Sequence, residues 1–356
     1  MISGVAPDAS LRLSLLATLA VSLLATLANP SAWILAIAGF LVRGGIVLVL
    51  APIVVVPSAV GLANLVAPTL TSVVFGGISG EVLTTIVLII AAVASWLIFG
   101  GLAAAALEVE GALLIARDDE VVGGAGGVGR PDRLDGPTRP GTAMRVLLAR
   151  VIAAGPLAIA LATGSIRVVA VAYRELTVPS DVAVALVVRV ARGAPEAIAW
   201  IVLAWILAEI VGAMAARRIV LAGDGVIASL GASVGQIVRS PLRAVVAFVM
   251  PLAVLIAVLV PSTAASVAGL ETVRASIAND AGPVAIAAWI ALFVGLWAGG
   301  LVLVGMACAW RSAIWTMEAA RTFGAVRNGR PGDWTASPDT ATLADLRPDG
   351  ADLDPR

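Results

Sequence analysis

Two stretches of this chain run without a charge for longer than a bilayer is thick. Val82–Leu107 and Pro283–Trp310 hold 26 and 28 residues with no Asp, Glu or Arg among them. A hydrocarbon core of about 30 Å needs roughly 20 apolar residues as α-helix, and in lipid a helix satisfies its own backbone N–H and C=O groups. Four further stretches reach that length with one or two charges each. Ser31–Pro57 holds Arg43, Val151–Tyr173 holds Arg167, Ala194–Ala216 holds Glu196 and Glu209, and Leu242–Val267 begins with Arg243 beside it. The expected fold is therefore all-α, a polytopic membrane bundle of six transmembrane helices. Composition agrees: 60% of the residues are hydrophobic and 13% charged, against about 45–50% and about 25% for a soluble domain.

The arginines sort the connecting segments into two sides. All 23 basic residues are arginine. Seventeen fall in the N-terminal stretch, the second and fourth connections and the C-terminal segment, five fall in the third and fifth connections and their flanks, and Arg43 lies inside a span. By the positive-inside rule both termini are expected in the cytoplasm. The bias toward Ala, Val, Leu, Gly and Arg is that of GC-rich codons and points to a bacterial source, hence a bacterial cytoplasmic membrane.

A repeated layout precedes alternate spans. Met144, Leu147, Leu148, Val151 and Ile152 follow a helical apolar spacing, with Thr142 as expected N-cap. Val226, Ile227, Leu230, Val234, Ile237 and Val238 line one helical face, with Asp224 as expected cap, and Ser229 and Ser233 fall elsewhere. Ser14, Thr18, Ser22 and Thr26 recur every fourth residue before the first span. Each helix runs into a proline, at Asn29-Pro30, Gly155-Pro156 and Ser240-Pro241, and proline biases its predecessor away from helix. The expectation is three hairpins, each preceded by a cytoplasmic-side amphipathic helix, over Ala9–Ala116, Thr142–Val220 and Asp224–Arg321. The helix over residues 9–29 has three open readings: interfacial, spanning, or a signal cleaved after Ala28.

The domain organisation expected is a transmembrane domain over residues 1–325 and a disordered cytoplasmic tail over 326–356. Its spans are placed at about 31–57, 82–107, 151–173, 194–216, 242–267 and 283–310, with a cytoplasmic linker over 117–142.

The absent residue types exclude chemistry. Without His there is no imidazole base and no His-ligated metal, and without Lys there is no Schiff base or P-loop lysine. The single Cys308 reads as a packing residue. No catalytic residue, cofactor or metal set is assigned. Gly124, Gly126 and Gly129 fit G-x-G-x-x-G but sit between acidic and proline-bearing flanks, as in a linker. Asp118, Asp119 and Glu120 read as a solvated helix boundary, with a metal–phosphate site as the alternative. Gly295 and Gly299 fit the small-xxx-small pattern, and with Gly300 they support close helix packing within the bundle. Trp33, Trp200, Trp289, Trp310 and Trp315 near span ends read as an interfacial belt.

Charges inside spans carry the functional signal. Arg43 lies 12 residues from Ser31, about 18 Å along a helix and near the bilayer midplane, and Glu209 lies 7 residues before Ala216, about 10 Å from the inner end. Pairing Arg43 with Glu209 would relieve both, and Arg150 is the other reachable partner. A polar cavity, an ion path or a lipid headgroup site stands against a purely structural pair.

The stretch Gly225–Arg243, with Arg239-Ser240-Pro241 running into a span, and Ala28-Asn29-Pro30 before the first span, resemble a pattern in uncharacterised bacterial six-helix membrane proteins. These include the membrane domain attached to some glycerophosphodiester phosphodiesterases. The resemblance implies an accessory or membrane-organising role and carries over no catalytic residue, because the hydrolase activity of those fusions belongs to a separate soluble domain. Three functions remain: a non-enzymatic protein organising membrane lipids or other membrane proteins, a transporter using a cavity near Arg43 and Glu209, and a membrane-embedded enzyme acting on lipid phosphates. With zero net charge, nucleic acid is not an expected partner.

Overall fold

A computed structural model of the protein describes residues 15–50, 53, 79–117, 141–181 and 183–328, with side chains described through residue 320. Among the described residues the chain is helical and has no strand. The helices in chain order are α1 (Leu15–Ala28), α2 (Pro30–Leu50), α3 (Gly80–Ala116), α4 (Thr142–Ala153), α5 (Gly155–Thr177), α6 (Leu186–Gly193), α7 (Pro195–Ala222), α8 (Val226–Arg239), α9 (Pro241–Ala278) and α10 (Pro283–Asn328). Six helical stretches are long and apolar enough to cross a membrane: α2, α3, α4 continuing into α5, α7, α9 and α10. The protein is a multi-pass membrane helix bundle. Neighbouring spans pack as hairpins, α2 on α3, α5 on α7 and α9 on α10.

Several helices outrun the apolar stretches that announce them. α3 continues to Ala116, α7 to Ala222 and α9 to Ala278. A charge ends a hydropathy window, but a helix ends at a breaker or cap, as α7 does at left-handed Gly223 with φ 73°. Residues 51, 52 and 54–57 of the expected first span, the connection over 58–78, the linker residues 118–140 and the tail from residue 329 lie outside the described residues. So do Asp118, Asp119, Glu120 and the glycines at 124, 126 and 129.

The proline breaks are unequal. Asn29 and Ser240 leave helical geometry, with φ,ψ of −118°, 79° and −143°, 62°, and Pro30 and Pro241 open the next helix. Ala154 before Gly155-Pro156 stays near helical values at −79°, −5°, so α4 and α5 form one bent rod. The N-caps also differ from expectation. Gly141, not Thr142, caps α4, and Gly225 caps α8 while Asp224 pairs with Arg218 at 3.0 Å.

The three helices that precede hairpins are amphipathic in an inverted sense. α1 buries Thr18, Ser22 and Thr26 and exposes Leu16, Leu23, Leu24 and Leu27. α8 buries Ser229 and Ser233 and exposes Ile227, Val234 and Val238. α4 buries Val146, Ala149 and Ala153 and exposes Met144, Leu148, Val151 and Ile152. Small residues let helix backbones approach, and the large apolar side chains face outward where lipid lies. The buried hydroxyls are satisfied locally: Ser22 donates to the Leu19 carbonyl at 2.9 Å, and Ser233 to the Ser229 carbonyl at 2.7 Å.

Together α1, α4, α8 and the ends of α3, α7 and α10 make a tightly packed base. Its core joins Leu19, Ile210, Met214, Phe248, Trp310 and Ile314. Trp310 and Trp315 are core anchors, not members of an interfacial belt. The Trp310 indole donates to Ser22 Oγ at 3.0 Å and so ties α10 to α1. Of the three α10 glycines expected at a helix contact, one makes it. Gly295 and Gly299 face open space, whereas Gly300 lies against Ser262 of α9, where an added Cβ would sit 2.8 Å from Ser262 Cβ.

Candidate functional site: an arginine-rich cavity

The site forms where the packed base meets the lipid-facing helices. α2 carries Arg43 13 residues past Pro30, about 20 Å along the helix. There the helix widens into a π-turn over Leu41–Gly45, and Gly44 takes φ 102°, ψ −3°, a left-handed conformation that costs glycine little. α3 brings Glu108 28 residues past Gly80, about 42 Å along its axis and beyond the 30 Å of a hydrocarbon core. Arg150 comes from α4, Glu209 and Arg217 from α7, and Arg311 from α10.

Glu108 is the hub. Its Oε2 accepts from Arg43 Nη2, and its Oε1 accepts from Arg150 Nη2 at 2.6 Å and from Arg217 Nη1. Arg217 spends its other donors on α10: Nε to Thr316 Oγ1 at 3.1 Å and Nη2 to Ser312 Oγ at 2.9 Å. Glu209 Oε2 accepts from Arg311 Nη2 and lies 3.6 Å from Arg150 Nη1. The Arg311 guanidinium stands 5.9 Å from the centroid of Phe248, whose ring meets Trp205 edge-on at 5.5 Å. Gly212 makes room for Arg150, because an added Cβ would lie 3.1 Å from Arg150 Cδ.

These six charged side chains line a single cavity of about 480 Å³. Their exposure grades from root to mouth: 3% for Arg217, 5% for Glu108, 20% for Arg150, 24% for Arg311, 30% for Glu209 and 46% for Arg43. The remaining wall is largely apolar and includes Phe40, Leu48, Trp205, Leu252 and Leu255. Four arginines and two glutamates leave +4 − 2 = +2 on the cavity. Hydrogen-bond donors are in surplus as well. Arg150 Nε and Trp315 Nε1, both on residues lining the cavity, are buried without a partner. Buried uncompensated cations and unpaired donors are costly, so the arrangement favours a ligand that brings negative charge and acceptors.

Sequence reasoning placed Arg43, Arg150 and Glu209 near one another, and all three line this cavity. The direct pairing differs from the expected one. Arg43 pairs with Glu108, and Glu209 is held by Arg311 and Arg150. The reason is length: α3 continues past its apolar run and carries Glu108 back to the level of the kink in α2. Glu108, Arg217 and Arg311 were missed as site residues. Their signal was present as helical spacing, with 209, 213 and 217 on one face of α7 and 308, 311, 312 and 315 on one face of α10.

Other polar features lack this convergence. A cavity of about 760 Å³ between α5 and α7 is walled mainly by apolar side chains, and its Arg167 and Glu196 stand 4.0 Å apart and largely exposed. At the far end of α5, Glu175 accepts from Ser180 N at 3.0 Å and Ser180 Oγ at 2.8 Å, which closes the turn after the helix. Among the described residues no three His, Cys, Asp or Glu side chains group as metal ligands. No family model, curated protein or solved structure matches the chain.

Proposed function

We propose that this is a non-enzymatic protein of the bacterial cytoplasmic membrane, with both termini cytoplasmic, that holds an anionic lipid headgroup in the arginine-rich cavity and thereby organises lipid. The +2 excess on that cavity carries the reading. Three further features support it. The cluster follows the 24 unburied residues 80–103 of α3, which at about 36 Å already exceed a hydrocarbon core, and lies where the helix becomes packed from Ala104. The apolar wall suits acyl chain next to headgroup. The arginine excess of the adjoining connections suits the anionic cytoplasmic leaflet. The layout resemblance to bacterial six-helix membrane domains is in keeping with an accessory role.

Enzymatic action on a lipid phosphate fits less well. Both carboxylates already accept from guanidiniums, so neither stands free as a general base. A transporter is favoured by one observation, the break at Gly44 beside Arg43, since discontinuous helices commonly frame transport sites.

Native mass spectrometry of the protein extracted from its own membranes in mild detergent tests the proposal. An anionic phospholipid should remain bound and be lost in Arg150→Gln. Co-purification of zwitterionic lipid alone, or no change in Arg150→Gln, would contradict it.

A further inference from the structure

Resting on that reading, we infer that the headgroup taken by this cavity is a phosphomonoester carrying two negative charges, as on a lipid phosphate, rather than a singly charged phosphodiester. The charge count decides. A dianion neutralises +2, whereas a diester leaves one of the cavity's four arginines without a counter-charge.

Geometry adds to it. Arg43 and Arg150 both bind the Glu108 carboxylate, and Arg150 and Arg311 both face Glu209 Oε2. Neighbouring guanidiniums are therefore held about one carboxylate apart, and the three form a continuous cationic edge. Arg217 faces the root and is committed to Glu108, Ser312 and Thr316. The guanidiniums left for a ligand are those of the more exposed Arg43, Arg150 and Arg311. A terminal phosphate offers three acceptor oxygens to such a set, where a diester offers two unbridged ones. The mouth beyond Arg43 leads to Phe40, Leu48 and Leu252, an apolar surface that suits an attached acyl chain better than a free anion.

The test uses the full chain in nanodiscs of phosphatidylcholine containing 5 mol% phosphatidic acid, 5 mol% phosphatidylglycerol, or neither with millimolar inorganic phosphate. Retained lipid is counted by mass spectrometry, and indole fluorescence reports occupancy beside Trp205 and Trp315. The expected result is retention of phosphatidic acid over phosphatidylglycerol by at least about tenfold, undisturbed by inorganic phosphate. Charge variants should move that ratio in opposite directions. Arg311→Gln, at +1, brings it toward parity, and Glu209→Gln, at +3, raises it. A merely structural disturbance would shift both alike, and either variant alone suffices if the other does not fold. Equal retention of the two anionic lipids overturns the dianion inference and leaves the headgroup site standing. Retention of neither overturns the headgroup site itself. Displacement of phosphatidic acid by inorganic phosphate overturns the lipid source in favour of a free anion.

Discussion

The two parts of α3 can be set side by side. Its first 24 residues, 80–103, bury none of their side chains, and its last 13, Ala104–Ala116, bury nine. Both parts are apolar, and one helix carries them. In the first part Leu88, Ile89, Ile90, Leu97 and Phe99 stand outward, as lipid-facing side chains do. In the second part Ala105, Val109 and Leu113 pack α3 against α4 and α7, and buried Glu108 collects three arginines. Hydrophobicity alone does not separate lipid contact from protein contact. Residue size does, together with the charge that only a packed, hydrogen-bonded environment tolerates.

If this contrast is right, substitutions should fall in a definite order of severity. Glu108→Ala is the most damaging, because it leaves Arg43 and Arg217 without their counter-charge and Arg150 with Glu209 alone. Breaking a buried pair of this kind costs roughly 3–5 kcal/mol, so the monodisperse species should disappear in size-exclusion chromatography. Gly212→Leu comes next. It drives a side chain into Arg150 at a cost of about 1–3 kcal/mol for overpacking, seen as a lowered Tm in detergent and as weakened retention of anionic lipid. Ser22→Ala removes one of the two acceptors that meet the Trp310 indole, leaving the Leu19 carbonyl, and should cost at most about 1 kcal/mol, a shift of a few degrees. Ile89→Ala in the lipid-facing part should change stability by less than about 0.5 kcal/mol. Should Ile89→Ala prove as harmful as Ser22→Ala, the outer part of α3 would be packed against protein and the contrast would fail.

The sequence analysis reached the class of fold and the number of spans because charge-free runs longer than about 20 residues have few alternatives. It reached Arg43, Arg150 and Glu209 for a similar reason, that a charge in an apolar run demands a partner. Glu108 escaped because it follows an apolar run and reads as a solvated boundary. Arg217 and Arg311 escaped because arginines at span ends serve the positive-inside count equally well. The apolar faces of α1, α4 and α8 were legible as faces, but which face meets protein was not. Helical apolar spacing identifies a face, but in a membrane the large apolar side chains turn outward and the serines and threonines turn in. Only Thr18, Ser22 and Thr26 hinted at this, since hydroxyls every fourth residue make a smooth packing strip.

The account depends on a cationic cavity at the level of the headgroups with an anion in it. An electron cryomicroscopy map of the protein in nanodiscs of native lipid would test this directly. The account predicts phosphate-sized density against Arg150 and Trp315, with Arg43 at the edge of the headgroup layer and chain-like density along Phe40 and Leu252. A closed, empty cluster lying at the bilayer midplane would contradict it.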